Sequence, residues 1–161
     1  MDGKYEDTQN YRMEVVKKQW DIICLVSELF RKSNIEYHFD ASTAAFIHGV
    51  NFEMSDIDVV IIHDCMDRVS ELLKPLFVLT EQEYMPKHNL DFFFAIKDGI
   101  KLHCLFYRDT QCEYSTFYSD VEIVIHDGKK IYTKTFDFYL KQKKIKHYLN
   151  KIGEKKKSVE K

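Results

Sequence analysis

Asp56 and Asp58 flank a single isoleucine and run directly into a β-branched apolar stretch, Ser-Asp-Ile-Asp-Val-Val over residues 55–60. In a strand, residues two apart project from one face, so the two carboxylates would stand side by side while Ile57 turns into the core. Like charges this close repel unless a cation or a proton lies between them. Burying both without such a partner is costly. A hard divalent ion such as Mg²⁺ relieves that cost, because it favours one or two carboxylates together with phosphate oxygens. Taken alone, Asp-x-Asp is a weak signal, common on surface strands and loops.

The segment before it strengthens the reading. Ile35 to Phe39 alternates as a short strand, and Asp40-Ala41-Ser42-Thr43 supplies small and capping residues ahead of a helix running to His48, with Gly49 as its stop. Backbone N–H groups in a turn that opens a helix favour a phosphate. Asp40 reads as the cap of that helix, and His38, two residues earlier, reads as facing the cleft.

These elements sit within a larger order. Residues 11–33 carry Val15, Val16, Trp20, Ile23, Val26, Leu29 and Phe30 at spacings of three and four, an amphipathic helix. After the Asp56 strand, Asp64 is expected to cap a helix reaching Leu73, closed by Pro75. Residues 76–80 suggest a further strand. Leu90–Ile96 with Ile100–Tyr107, and Val121–Ile125 with Lys130–Thr135, read as hairpins around Lys97-Asp98-Gly99 and Asp127-Gly128, since Asp-Gly suits a primed turn. From Phe136 to Ile152 the spacing is helical again. The order predicts an α+β fold, a mixed sheet with helices mainly on one side and a C-terminal helix. No internal repeat and no linker interrupts it, so residues 1–152 form one expected domain, followed by a Lys-rich, disordered tail at 153–161.

A small residue and Ser after a strand, thirteen intervening residues, then Asp-hydrophobic-Asp-hydrophobic: this pattern, Phe39-Asp-Ala-Ser through Ser55-Asp-Ile-Asp-Val-Val-Ile, resembles the signature of the nucleotidyltransferase superfamily. That superfamily includes the small lincosamide and aminoglycoside nucleotidyltransferases and polymerase β. The resemblance covers residues 35–62 closely, and the element order over 11–140 is compatible with a minimal version of the fold. It implies that Ala41, Ser42 and the adjoining backbone hold a triphosphate and that Asp56 and Asp58 ligate Mg²⁺, in a one- or two-metal site. It further implies transfer of a nucleoside monophosphate from an NTP, with ATP foremost, to a hydroxyl of an unidentified acceptor.

The sequence departs from the pattern twice. Ala41 stands where the family has Gly, so a methyl intrudes where backbone and phosphate approach. A third carboxylate is expected on a neighbouring strand, and the strand best placed for it, residues 99–107, offers His103 instead. His103 reads either as a general base or as an imidazolium pairing with the aspartates. Asp91 is the obvious substitute acid, but a two-residue turn at 97–98 or 98–99 pairs His103 with Phe92 or Phe94 and turns Asp91 to the opposite face, and only a three-residue loop would bring it round. Lys101, on the same strand face as His103, could meet a phosphate or be an ordinary exposed lysine. These departures leave an alternative, a nucleotidyltransferase-fold binding or regulatory module without turnover.

Bulk properties bound the rest. The 161 residues are 45% hydrophobic, 14% aromatic and 31% charged, the composition of one globular domain. No run approaches a membrane span and no signal pattern opens the chain, so a cytoplasmic protein is expected. Cys24, Cys65, Cys104 and Cys112 are too scattered for a zinc site and read as reduced thiols. His48, His63, His88, His126 and His147 lack metal-ligand spacing and read as surface or edge residues. Residues 141–161 hold nine lysines against two glutamates, +7, so the body carries −9 of the net −2. A basic end could touch nucleic acid, but without Arg or interleaved aromatics it reads as a solvated helix face. With almost nothing beyond the core to recognise an acceptor, a homodimer or a partner subunit is a further expectation.

Overall fold

In the computed structural model, residues 12–110 and 117–141 are described. Cys112, His147, the continuation of the last helix beyond Lys141 and the Lys-rich end lie outside them.

Helix α1 (Met13–Lys32) carries the expected apolar stripe, and Val16, Ile22, Ile23, Val26 and Phe30 are buried. Strand β1 (Tyr37–Phe39), helix α2 (Ala41–Ile47) and strand β2 (Ile57–Ile61) follow. Next come a 3₁₀ turn at His63–Cys65 and helix α3 (Met66–Leu73). Asp64 therefore lies inside the 3₁₀ turn, and α3 starts at Met66 without a side-chain cap, which corrects the expected Asp64 cap. The tighter turn carries the chain from β2 into the helix, and Cys65 N–H bonds back to the Ile62 carbonyl.

Strands β3 (Val78–Leu79) and β4 (Glu83–Met85) lead to β5 (Leu90–Lys97) and β6 (Ile100–Tyr107), then β7 (Val121–His126) and β8 (Lys129–Lys134), and helix α4 begins at Phe136. Both hairpins close through Asp-Gly pairs with positive φ at each residue, 52° and 78° at Asp98-Gly99 and 48° and 75° at Asp127-Gly128. That double left-handed turn matches the twist of the flanking strands.

The strands form one eight-stranded mixed sheet in the order β3-β5-β6-β2-β1-β8-β7, with β4 also on β5. β2 runs parallel to β6 and antiparallel to β1. Ile57, Val59 and Ile61 of β2 and Leu102, Cys104 and Phe106 of β6 turn to the core that α1 and α3 cover. The alternate residues, Asp58 on β2 and Lys101 and His103 on β6, occupy the other face. Cys24, Cys65 and Cys104 are free thiols, and burial pushes the Cys104 thiol well up, away from reactivity.

Candidate active site

The strand–turn–helix over residues 37–47 is tied to β2 at Asp58. The Asp40 N–H donates to the Asp58 carbonyl at 3.1 Å, and the Asp58 N–H donates to Thr43 Oγ1 at 2.9 Å. Thr43 is fully buried, so its hydroxyl serves the interior and fixes the backbone of Asp58 against the turn. In the sequence Thr43 reads only as one of a capping run; nothing local reveals that its oxygen serves a residue fifteen positions on.

Asp40 is the cap residue of α2, and its Oδ1 accepts from the Ala41 N–H at 2.7 Å. Ala41 itself has φ +55°, the left-handed region that favours glycine. The backbone thus keeps a glycine-type conformation under an alanine side chain, a strain on the order of 1–2 kcal/mol. Ser42 follows as the second residue of α2 and is half-buried.

Asp58 and His103 are register partners on the parallel strands β2 and β6. The Nδ1 of His103 lies 3.1 Å from Oδ1 of Asp58. The imidazole stacks on Phe94, its centroid 4.4 Å away with planes 12° apart, and meets Phe92 edge-on at 5.2 Å. Nε2 is buried without a hydrogen-bond partner among the described residues.

Asp56 stands one residue before β2 begins and is half-buried, as Asp58 is. The strand starts later than the same-face reading required, so alternation along the ladder places Asp58 but does not reach Asp56. Lys101 is exposed beside Phe94, its Nζ 5.9 Å from the ring centroid.

The Asp98-Gly99 turn pairs Phe94 with His103, and Asp91 consequently faces away from it. There Asp91 is buried and accepts from Arg108 Nε and Nη2 at 2.9 Å each, with His63 Nε2 at 2.8 Å from Oδ2. Those bonds, Arg108's first, hold its carboxyl below the usual range. Asp91 is therefore a paired structural carboxylate, and His63 is its partner rather than a bare surface residue. His48 is likewise drawn in, its Nε2 3.1 Å from the Lys134 carbonyl and 3.3 Å from Glu122.

His38 is almost fully buried on β1, level with Val60 of β2, on the sheet face that carries Asp58. Burial first, and then the charge of Lys134, push its imidazole down to about 3. It is a neutral group packed against Phe117.

No family model and no curated protein matches the sequence. Among solved structures, the Thermotoga maritima protein TM1012, classed as a nucleotidyltransferase, superposes with a TM-score of 0.62 at 15% identity over 89% of each chain. ANT(2'')-Ia in complex with adenylyl-2''-tobramycin superposes with a TM-score of 0.57 at 12% identity, over 84% of this chain and 78% of that one. The solution structure of ANT(2'')-Ia gives 0.58 over 84% and 74%. The chain has a nucleotidyltransferase-like fold. At these identities the likeness establishes the architecture alone. Among the described residues no group of three or more His, Cys, Asp and Glu side chains is arranged to hold a metal. None of their helices is long and apolar enough to cross a membrane.

Proposed function

We propose that this protein is a cytoplasmic, Mg²⁺-dependent nucleotidyltransferase that moves a nucleoside monophosphate from an NTP to a hydroxyl of an acceptor still to be identified. The observation that carries the reading is the double clamp that fixes the backbone of Asp58 to Asp40 and Thr43, at the turn and helix start, within a nucleotidyltransferase-like fold. ATP is the first nucleotide to try, because ANT(2'')-Ia, which shares the fold, was solved with an adenylylated product.

The donor set suits Mg²⁺. Two half-buried carboxylates match an ion that arrives with the nucleotide and takes further oxygens from its phosphates and water. Asp56 and Asp58 would hold it, and when bound it would offset charge on the triphosphate and the departing pyrophosphate.

The chain's own residues supply positioning. Phosphoryl-type transfers need little covalent help from the protein and depend mainly on alignment and electrostatics. In this reading Ser42 and the backbone around Ala41 orient the triphosphate, with Lys101 at the rim. Thr43 holds Asp58 in place, and His103, donating from Nδ1, fixes the rotamer of the Asp58 carboxylate. An acceptor oxygen forms the new bond to the α-phosphorus as the bond to pyrophosphate breaks, and the acceptor proton leaves to solvent or to a free carboxylate oxygen. His103 is thus a positioning residue, since its other nitrogen is enclosed.

Incubation with Mg²⁺, each of the four NTPs and a panel of hydroxyl acceptors, followed by pyrophosphate release, tests the reading. Mg²⁺-dependent release that Asp58→Asn abolishes supports it. Nucleotide binding with no release from any acceptor points to the non-catalytic module, and no binding at all contradicts both.

A further inference from the structure

The two edges of the sheet differ. At the β3 and β4 side the outer strands are only two and three residues long. At the other side β7 has six residues, Val121-Glu122-Ile123-Val124-Ile125-His126, without proline, and is the terminal strand among the described residues. Short strands are a usual protection of an edge, and β7 lacks it.

The register of the β7–β8 hairpin, His126 opposite Lys129 across a two-residue turn, directs the backbone groups of 126, 124 and 122 to β8. Those of Val121, Ile123 and Ile125 therefore point outward, along an edge that no other described strand pairs. Ile123 and Ile125 are 48% and 60% exposed, share one face, and adjoin Tyr132, which lies opposite Ile123 and is 36% exposed. An edge that is unpaired among the described residues and carries a stripe of exposed isoleucines is a pairing surface.

We propose that β7 pairs antiparallel with β7 of a second copy, so that two sheets join into one across a two-fold axis at Val124. Residues 122–126 of the strand are self-complementary in that register. Outward-pointing Ile123 faces Ile125 of the other copy and Ile125 faces its Ile123, gathering four isoleucines between two Tyr132 rings. On the opposite face Val124 meets its own counterpart, and Glu122 meets His126. Over residues 122–126 a charged side chain thus meets a basic partner and each apolar one meets an apolar one, as an isologous interface requires, while Val121 lies opposite Asp127 at the turn. His126 also stacks on Trp20 and Glu122 also contacts His48, so both are already oriented.

Light scattering coupled to gel filtration, at about 100 μM full-length protein, tests this independently of any nucleotide chemistry. The wild type should elute at twice its 19.3 kDa mass. Ile123→Lys with Ile125→Lys, both at exposed positions, should elute at the single-chain mass with an unchanged circular dichroism spectrum. Ile123→Pro removes an outward N–H and no bond to β8, and should also yield the single-chain mass. A wild type at the single-chain mass, a dimer that survives both variants, or an assembly larger than two chains would overturn the proposal.

Discussion

His103 and Asp58 sit level on two parallel strands, and the ring nitrogen of one is 3.1 Å from a carboxylate oxygen of the other. The histidine stands where the sequence reading expects an acid, and its Nδ1 contact is with the aspartate. Removing it should therefore act through Asp58. His103→Ala is expected to weaken Mn²⁺ affinity in the nucleotide complex by about 10–100-fold, the usual cost of losing a group that orients a ligating side chain. His103→Asn, whose amide can still donate, should recover part of that affinity. Equal affinity for wild type and His103→Ala would show that the contact does not matter to the site.

Ala41 is held at φ +55° in the turn that precedes Ser42. Ala41→Gly relieves the steric strain but enlarges the unfolded ensemble, so the net gain should be about 0.5–1 kcal/mol in urea unfolding. The same variant opens space against a phosphate, and nucleotide affinity should rise or hold. Destabilisation by Ala41→Gly would contradict the strained geometry.

Thr43→Val keeps the volume and removes the oxygen that accepts the Asp58 N–H. It leaves a buried donor unpaired, at a cost of about 1–3 kcal/mol. If Thr43 positions Asp58, Mg²⁺-dependent nucleotide binding should weaken more at Thr43→Val than at Ala41→Gly, with both measured well below their unfolding midpoints.

His38 gives the fold a pH signature. Its imidazole is pushed down to about 3 in the folded protein by burial and by Lys134, whose ammonium donates to the Ser119 carbonyl nearby. An unfolded histidine titrates near 6.5, so between those values the unfolded chain binds the additional proton. Stability from this residue is whole above about pH 6.5 and declines as pH falls, by up to roughly 1.4 kcal/mol per unit. His38→Gln, polar but without a titration, should flatten that slope between pH 6 and 4. Parallel slopes for the two proteins would rule His38 out as the source.

Much of this architecture was legible because the signals were local. Asp98-Gly99 and Asp127-Gly128 announce their hairpins, the stripe from Val15 to Phe30 announces α1, and a two-residue turn at Asp98-Gly99 dictates that Asp91 and His103 face apart. β4 was missed because Glu83-Tyr84-Met85 has no apolar alternation and becomes a strand only by pairing with β5. In the sequence Asp56 reads as part of β2, whereas the ladder to β6 begins at Ile57. The Thr43–Asp58 bond and the Arg108–Asp91–His63 cluster join residues far apart in sequence, and no spacing rule encodes such meetings.

The central claim is that Asp58, clamped against the turn, binds a nucleotide through Mg²⁺. Its most direct test is isothermal titration of the wild type and Asp58→Asn with a non-hydrolysable ATP analogue, with and without Mg²⁺. The account predicts wild-type binding that requires Mg²⁺ and weakens at least about tenfold in Asp58→Asn, roughly 1.4 kcal/mol, with the unfolding midpoint unchanged. No binding by the wild type, or equal binding by the variant, would contradict it.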